Sequence, residues 1–255
     1  TSFISSSIYT FLMVFFISHL CHAQSVNAQF DVGKFQSENK TYIETYLSIE
    51  GNSVNYVLND NNKFQSSLVI TIELISNDSS ALFDKYNLSS PEIDDTSNID
   101  FVFIDQQRYF LTDGDYQLKL NIKDNNDSDN AISHQQDLTI KTQDRFSTIQ
   151  LVDNYSDTKE VNILSKSGYD LVPFISNFYN SNNNKITFYY EYYNGSKEAV
   201  LLQTKVISQS NNQLINNLAL NKKSNSKTTP ILASFSLKDI PTGTYYLESS
   251  AIDKN

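Results

Sequence analysis

The sequence predicts an all-β protein built from antiparallel sandwiches, and three observations lead to this prediction. Apolar and polar residues alternate along most of the chain, and no stretch keeps a helical apolar stripe over three turns. Turns rich in Asn, Asp, Ser and Gly separate these runs at the spacing of sandwich strands. A Gly-x-Tyr-x-Leu pattern also occurs twice, starting at Gly114 and at Gly243. Its offset of 129 within 255 residues indicates two tandem domains.

The first 23 residues are expected to be a signal peptide. They contain no Asp, Glu, Lys or Arg, and an apolar run at 8–17 leads to small residues at Cys21 and Ala23. The run is too short to span a bilayer but is typical of a secretory signal cut before Gln24. A lipid anchor and a buried apolar segment are the alternatives. Residues 24–36 are expected to be a linker. Because Cys21 is the only cysteine, the exported chain would hold no disulfide.

The first sandwich is expected to span residues 37–143. In the segment TYIETYLSIEG, Ile43 and Leu47 fall on one face of a strand, while tyrosines and an acid fall on the other. Residues 80–86 suit a short helix and a strand equally well. The predicted strands lie at 41–51, 63–76, 100–105, 115–124 and 135–143.

The repeated Gly-x-Tyr pattern specifies the kind of sandwich. In immunoglobulin-like domains a tyrosine near the start of a late strand returns its hydroxyl to the backbone a few residues upstream. Tyr116 and Tyr245 occupy that position in their repeats. Both domains are therefore predicted to be immunoglobulin-like antiparallel sandwiches.

The second sandwich is expected at residues 144–255, with one strand missing. A hairpin and a closing strand follow the first Gly-x-Tyr copy, whereas the second copy is followed only by residues up to Asn255. The sequence is therefore expected to be an N-terminal fragment that stops inside its second sandwich. The predicted strands lie at 147–153, 185–194, 199–208, 230–237 and 244–253.

Two Tyr-x-Glu-x-Tyr stripes are the candidate binding residues. If the intervening apolar residues face the cores, the stripes face outward, and exposed aromatics beside a charge are typical of protein contact surfaces. Two alternatives remain open: the aromatics only support the outer face of a sheet, or the neighbouring domain covers them. The six candidates are Tyr42, Glu44, Tyr46, Tyr189, Glu191 and Tyr193.

Charge and histidine content argue against several classes of function. Residues 24–143 hold 8 Lys/Arg against 19 Asp/Glu, so the first half repels phosphate backbones and nucleic acid is a poor partner. His134 is the only histidine after residue 23, and no Gly-x-Ser-x-Gly nucleophile motif occurs. No catalytic residue, resident metal or cofactor is predicted.

The segment DNNDSDN offers the one calcium candidate. Asp124, Asn126, Asp127 and Asp129 crowd oxygen ligands into a predicted hairpin loop. Asn130 stands where an EF-hand loop needs glycine, and a glutamine replaces its last acidic ligand. A solvated acidic turn is therefore expected, with calcium binding as the alternative.

Four segments carry a family resemblance: YIETYLSIEGNSVNY, RYFLTDGDYQLKL, SKSGYDLVPFISNFY, and FYYEYYN followed by IPTGTYYLESSAIDKN. On these, the chain from about Phe35 onward resembles the N-terminal part of the exported bacterial GWxTD domain-containing proteins. The chain has no tryptophan, so the pentapeptide that names the family is absent. The resemblance implies export and a further C-terminal domain, and it implies no reaction.

The sequence thus predicts a non-enzymatic, exported binding or scaffolding module of the cell envelope, periplasmic or extracellular, with outer-membrane association left open. Its partner would be another envelope protein or its own C-terminal domain, and it would not span the membrane after signal cleavage. The alternative is an accessory, non-catalytic segment of an envelope enzyme whose active site lies in a missing C-terminal part.

Overall fold

The computed structural model describes residues 25–37, 40–180, 183, 185–193, 199–223 and 227–253. These residues fold almost entirely into antiparallel strands, and their one helical element is the 3-10 turn Gly51–Ser53. The all-β sandwich prediction is confirmed. The expected signal peptide, residues 1–23, lies outside this described part. Across the described part, the structure has no helix with the length and apolar character that a bilayer crossing requires.

The first half is a sandwich of a three-stranded and a four-stranded sheet. The sheets have the orders β1-β2-β7 and β6-β5-β8-β9, and β3 and β4 form a separate small pair. The first, second and fifth long strands form one sheet, and the fourth, β6, lies in the other sheet beside β5, whereas in constant-type immunoglobulin domains the fourth strand joins the first sheet. The strands are β1 Ala28–Ser37, β2 Lys40–Glu50, β3 Val57–Leu58, β4 Phe64–Gln65, β5 Ser67–Ser76, β6 Ser79–Ser89, β7 Val102–Leu111, β8 Gly114–Asp124 and β9 Ala131–Ile140.

The second half repeats this plan with two changes. Its sheets have the orders β11-β12-β10-β13-β16 and β15-β14-β17, so a hairpin of β11 and β12 is added beside β10. Within the described residues β17 pairs with β14 alone, whereas its counterpart β8 pairs with both β5 and β9. The strands are β10 Gln150–Asp157, β11 Ser165–Lys166, β12 Tyr169–Pro173, β13 Lys185–Tyr193, β14 Ala199–Ser208, β15 Leu214–Lys223, β16 Thr228–Ser236 and β17 Tyr245–Asp253.

Each half packs around its own core. The first core joins aliphatic residues of both sheets, such as Ile43 on β2, Ile70 on β5 and Leu118 on β8. The second core is more aromatic and joins Phe188 and Tyr190 of β13 to apolar residues of β14. Removing these side chains from water is the main favourable term in folding each half.

The predicted tyrosine corners are present in both halves. Tyr116 donates its hydroxyl hydrogen bond to the carbonyl oxygen of Thr112 at 3.0 Å. Tyr245 donates to the carbonyl oxygen of Pro241 at 2.6 Å. In each case the bond returns four residues upstream, which fixes the entry of the chain into β8 and β17.

Two expectations about the elements change. Residues 24–36 were expected to be a linker, but β1 occupies most of them and pairs with β2 over its whole length, from Ala28↔Ile49 to Ser37↔Lys40. The linker prediction is therefore wrong. The ambiguous segment 80–86 is strand, as part of β6.

Candidate functional site between the two sandwiches

The two halves contact each other through the outer faces of two sheets. Phe35 and Tyr42 of the first half form a third buried apolar cluster with Val152, Leu171 and Tyr189 of the second. Phe35 stacks on Tyr42 with 5.7 Å between ring centroids and lies 6.4 Å from Tyr189. We call this contact the joint.

Glu44 is the centre of the polar part of the joint, and its side chain is fully buried. Its neighbours across the sheet are Gly33 on β1 and Arg108 on β7. Arg108 donates from Nε at 3.0 Å and from Nη2 at 2.6 Å to Glu44 Oε1. Tyr46 donates its hydroxyl to Glu44 Oε2 at 2.6 Å. Both carboxylate oxygens therefore have partners, as a buried charge requires.

Lys166 brings a cation from the second half to Glu44. Its ammonium forms an ion pair with Glu44 Oε2, donates to Gln150 Oε1 at 2.6 Å and donates to the Tyr46 hydroxyl at 3.1 Å. Three acceptors thus match the three donors of an ammonium group. The ammonium also lies 3.8 Å from the centroid of the Phe35 ring, a cation–π contact. We call Glu44, Tyr46, Arg108, Gln150 and Lys166 the joint cluster.

A tight hairpin turn delivers Lys166 to this position. Lys166 pairs with Tyr169, and the two residues between them, Ser167 and Gly168, have φ of 49° and 92°. Two successive residues with positive φ are what a two-residue hairpin of β-strands needs, and glycine adopts that conformation without strain. The turn projects Lys166 into the joint, where its side chain is buried.

Glu191 is a second buried carboxylate in the joint. Tyr189 donates to Glu191 Oε1 at 2.6 Å and Tyr193 donates to Oε2 at 2.8 Å. The hydroxyl oxygen of Tyr193 accepts in turn from the backbone N–H of Gln36 at 2.8 Å. The second Tyr-Glu-Tyr stripe is thereby tied to β1 of the first half.

The segment that connects the halves runs beside β1. Thr148 donates its N–H to the carbonyl oxygen of Lys34 at 2.9 Å, and the Lys34 N–H donates to Thr148 Oγ1 at 2.9 Å. Lys34 also forms an ion pair with Asp144. Backbone and side chain together therefore hold the connection against the edge of the first sandwich.

Burial shifts the pKa of several groups in the joint. Removal from water lowers the pKa of Lys166 to about 8, although the negative charge of Glu44 opposes this change. Burial, reinforced by the charge of a neighbouring glutamate, raises the pKa of Tyr42, Tyr46, Tyr189 and Tyr193. These hydroxyls therefore stay protonated, and those of Tyr46, Tyr189 and Tyr193 act as hydrogen-bond donors to the carboxylates.

The six predicted binding residues all lie in this contact. Tyr42, Glu44, Tyr46, Tyr189 and Glu191 are buried, and Tyr193 is half-buried. The expectation that they face solvent is therefore wrong, because the outer face of each sheet is covered by the other half. Of the two alternatives that the sequence left open, this is the second: the neighbouring domain covers the aromatic stripes.

Sequence reasoning missed Phe35, Arg108, Gln150 and Lys166 as members of the contact. The segment SKSGYDLVPF contains a usable signal, because a Ser-Gly pair between short runs is typical of a hairpin turn. Nothing local to Arg108 or Gln150 distinguishes them from other polar strand residues.

A small cavity beside the joint has room for about one water molecule. Its volume is about 10 Å³, and it lies between Asp31, Tyr46, Gln150 and Phe174. An open depression of about 410 Å³ lies in the first half, lined by Asp78, Asp115 and Asp137 among others. Among the residues that the structure describes, no three His, Cys, Asp or Glu side chains are grouped as metal ligands would be.

Two of the four calcium candidates, Asp124 and Asp127, accept hydrogen bonds within the protein through their carboxylate oxygens. Asp124 accepts from the Asn55 N–H at 2.8 Å through Oδ2 and from the Asn126 N–H at 2.8 Å through Oδ1. Asp127 accepts from the Asp129 N–H at 3.1 Å, and the Asn126 amide donates to the carbonyl oxygen of Asn55 at 2.9 Å. These bonds pin the loop to the segment after the 3-10 turn.

No protein-family model matches the chain. No curated protein matches it either.

Proposed function

We propose that this chain is a non-enzymatic scaffolding module of the bacterial cell envelope, in which two sandwiches form one rigid unit. The observation that carries the proposal is the burial of the Glu44 carboxylate and the Lys166 ammonium at the joint. Charges are tolerated away from water only with well-placed partners. A joint that moved would separate these partners, so the contact favours one relative position of the halves.

A rigid pair of sandwiches would hold the outer strands of both halves at a fixed spacing. Because the Tyr-Glu-Tyr stripes are occupied in the joint, contact with an envelope partner would fall to those outer strands. The resemblance to the exported GWxTD domain-containing proteins, through segments that include the Lys166 hairpin, supports the envelope location. The acidic first half favours solubility, which an exported module requires.

Distances between the halves test the rigidity. Spin labels at Asp137→Cys and Asn211→Cys, both exposed, would be introduced into a Cys21→Ser background. We expect one narrow distance distribution that Lys166→Met broadens. Lys205→Met is the matched control, because its pair with Glu248 lies within the second half at 3.8 Å and is partly exposed. A broad distribution in the parent protein would contradict the proposal.

Export is tested separately with residues 1–23. Alkaline phosphatase without its own signal, fused after residue 143, becomes active only where its disulfides form, as in the periplasm. We expect activity from the fusion that starts at Thr1 and none from one that starts at Gln24. Equal activity of the two fusions would remove the signal-peptide assignment and leave the rigidity proposal standing.

A further inference from the structure

The Lys166 ammonium lies against the side-chain amide of Gln150. Its Nζ donates to Gln150 Oε1 at 2.6 Å, and the amide carbon Cδ lies one double bond of about 1.23 Å beyond that oxygen, so Nζ is within about 3.8 Å of Cδ. Reacting atoms about 3–3.5 Å apart are close to the geometry of attack. The two residues belong to separate strands, β11 and β10. A nucleophile and an electrophile are thus side by side.

Glu44 places a base at the same nitrogen. Its Oε2 is ion-paired with the Lys166 ammonium, while its Oε1 accepts from Arg108. The side chains of Lys166, Glu44 and Gln150 are all buried, and the Phe35 ring lies against Nζ, so water is kept away from the reacting atoms. Burial, opposed by the charge of Glu44, lowers the pKa of Lys166 to about 8. A desolvated lysine of this kind is a nucleophile in its amine form.

The amide nitrogen of Gln150 is placed as a leaving group. Within the described part of the chain, Nε2 is buried and has no hydrogen-bond partner. Gln150 also lines the cavity of about 10 Å³ beside the joint. That volume takes one molecule of about the size of water, and ammonia has a similar size. A departing ammonia therefore has a space to enter and no hydrogen bond to break.

We propose that Lys166 and Gln150 join in an intramolecular isopeptide bond, with Glu44 as the catalytic base. Glu44 takes a proton from the Lys166 ammonium, and the freed electron pair of Nζ forms a bond to Cδ of Gln150. The carbonyl electron pair moves to Oε1 and returns as the Cδ–Nε2 bond breaks. Because Nζ and Nε2 are then attached to one carbon, Glu44 passes the two protons that Nζ loses to the departing nitrogen, which leaves as ammonium. An ammonium group and a primary amide thus give a secondary amide and an ammonium ion, with no oxidation or reduction.

The bond would stabilise the second half covalently. It ties the β11-β12 hairpin to β10 and closes the loop of residues 150–166. Cys21 is the only cysteine of the chain, so no disulfide can form within it. A covalent cross-link of this kind acts mainly by restricting the unfolded chain. Since the base comes from the first half and the bonded pair from the second, the reaction requires that the joint is formed.

Mass spectrometry of the full chain tests the bond. The purified protein would be incubated for days at about pH 9, where the amine form of Lys166 predominates. We expect its mass to fall by about 17 Da, the mass of ammonia, either by the time of purification or during incubation. A tryptic digest should then contain residues 146–159 joined to residues 160–185, because trypsin does not cleave after a modified lysine. This mapping separates the bond from ammonia loss at other Asn and Gln residues.

Substitutions assign the roles. Lys166→Arg removes the amine but keeps the charge, and Gln150→Asn draws the carbonyl back by one methylene, so neither should form the bond. Glu44→Gln cannot take the proton and should slow the reaction at least about 100-fold. Gln106→Asn is the matched control and should react like the parent protein, because Gln106 is buried in the same contact but donates to the carbonyl oxygen of Ile163 at 3.0 Å. Hydrogen exchange at β10 and β13 would identify any variant that does not fold.

Four results would overturn the proposal. They are an unchanged mass of the folded parent protein, an ammonia loss that maps away from Lys166 and Gln150, equal rates in the parent protein and a folded Glu44→Gln variant, and a loss of about 18 Da with Lys166 joined to Glu44, which would be a condensation that releases water. A rigid joint does not require the bond, so these results would leave the proposed function standing. Formation of the bond consumes the Lys166 ammonium, so the ion pair and the titration of that group belong to the form without the bond.

Discussion

Lys166 shows how a single residue fixes the relation between the two sandwiches. Its ammonium reaches Glu44 and Tyr46 in the first half and Gln150 in the second, so its hydrogen bonds span both. The aromatic face of Phe35 lies against the Lys166 ammonium in the place of water. A buried pair of this kind contributes little when compared with apolar replacements of both partners, but removing Lys166 leaves the Glu44 charge with Arg108 as its one remaining cation in the described contact.

Replacing this lysine should therefore be costly. We expect Lys166→Met to lower the free energy of unfolding by about 1.5–3 kcal/mol, measured by urea denaturation, because Glu44 loses one of its two cationic partners and keeps Arg108. Adding Glu44→Leu to that variant should recover part of the loss. The control Lys205→Met breaks a partly exposed pair and should cost about 0–1 kcal/mol. Similar losses in the two single variants would show that the joint pair has no special role.

The lowered pKa of Lys166 predicts a specific pH dependence. The folded protein releases this proton near pH 8, whereas the unfolded chain keeps it up to the ordinary lysine value of 10.5. The unfolded state thus binds more protons in this window, so the contribution of Lys166 to stability rises with pH from about 8. The charged groups that act on Lys166 are Glu44, Arg108 and Glu191.

Urea midpoints between pH 7 and pH 9.5 would measure this effect. The parent protein should gain about 2 kcal/mol relative to Lys166→Met over that range. The range ends there because the joint tyrosines, whose pKa is raised, begin to oppose the trend above about pH 10, where unfolded tyrosines lose their protons. Parallel pH profiles for the two proteins would contradict the assignment.

At the scale of elements, β2 and β13 explain which part of the site could be predicted. Both alternate as expected, with Ile43 and Leu47 of β2 and Phe188 and Tyr190 of β13 facing the cores. The second face of each strand is also buried. The segment TFYYEYY signals this, because it has aromatics on both faces and strands buried on both sides read as near-continuous apolar runs.

Local features of the sequence explain why two strands, β1 and β15, were not predicted. In β1 the apolar residues change face, since Phe30 and Val32 pack on the first core while Phe35 enters the joint. Alternation therefore breaks in the middle of the strand, beside Gly33. In β15, Asn216 and Asn217 resemble turn residues, and a register shift lies at the same place. The Lys166–Glu44 pair joins residues 122 positions apart, a separation that no local pattern reports.

The tyrosine corners give a prediction for single elements. Tyr116→Phe should lower the free energy of unfolding by about 1 kcal/mol, because the carbonyl oxygen of Thr112 loses its partner. Tyr245→Phe should cost less, since its hydroxyl is exposed to water that can replace it. Tyr246→Phe, at a side chain that is half exposed, should change stability by less than about 0.5 kcal/mol. Equal effects at all three positions would argue against a structural role for the corners.

At the scale of the whole molecule, the two halves meet through equivalent sheets. The β1-β2-β7 sheet of the first half faces the sheet that contains β10, β13 and β16 in the second, and each contributes one Tyr-Glu-Tyr stripe. Glu44 has direct ion pairs with two cations in the described contact, Arg108 and Lys166. Glu191 is held by tyrosine hydroxyls instead. The equivalent glutamates of the two sheets thus have different partners. This difference favours contact between a first half and a second half over contact between two like halves.

This contact should make the halves unfold together. Phe35 is fully buried between Tyr42, Tyr189 and the Lys166 ammonium, so Phe35→Ala should cost about 3–5 kcal/mol and leave the joint poorly packed. Hydrogen exchange at increasing urea concentration would follow β5 and β14 separately. In the parent protein the two strands should open with the same free energy, and in Phe35→Ala their values should separate. Phe83→Ala, at an exposed position on β6, should leave them coincident. If the opening free energies of β5 and β14 stay equal in Phe35→Ala as well, the joint does not couple the unfolding of the two halves, because the loss of its central ring would have had no effect on that coupling.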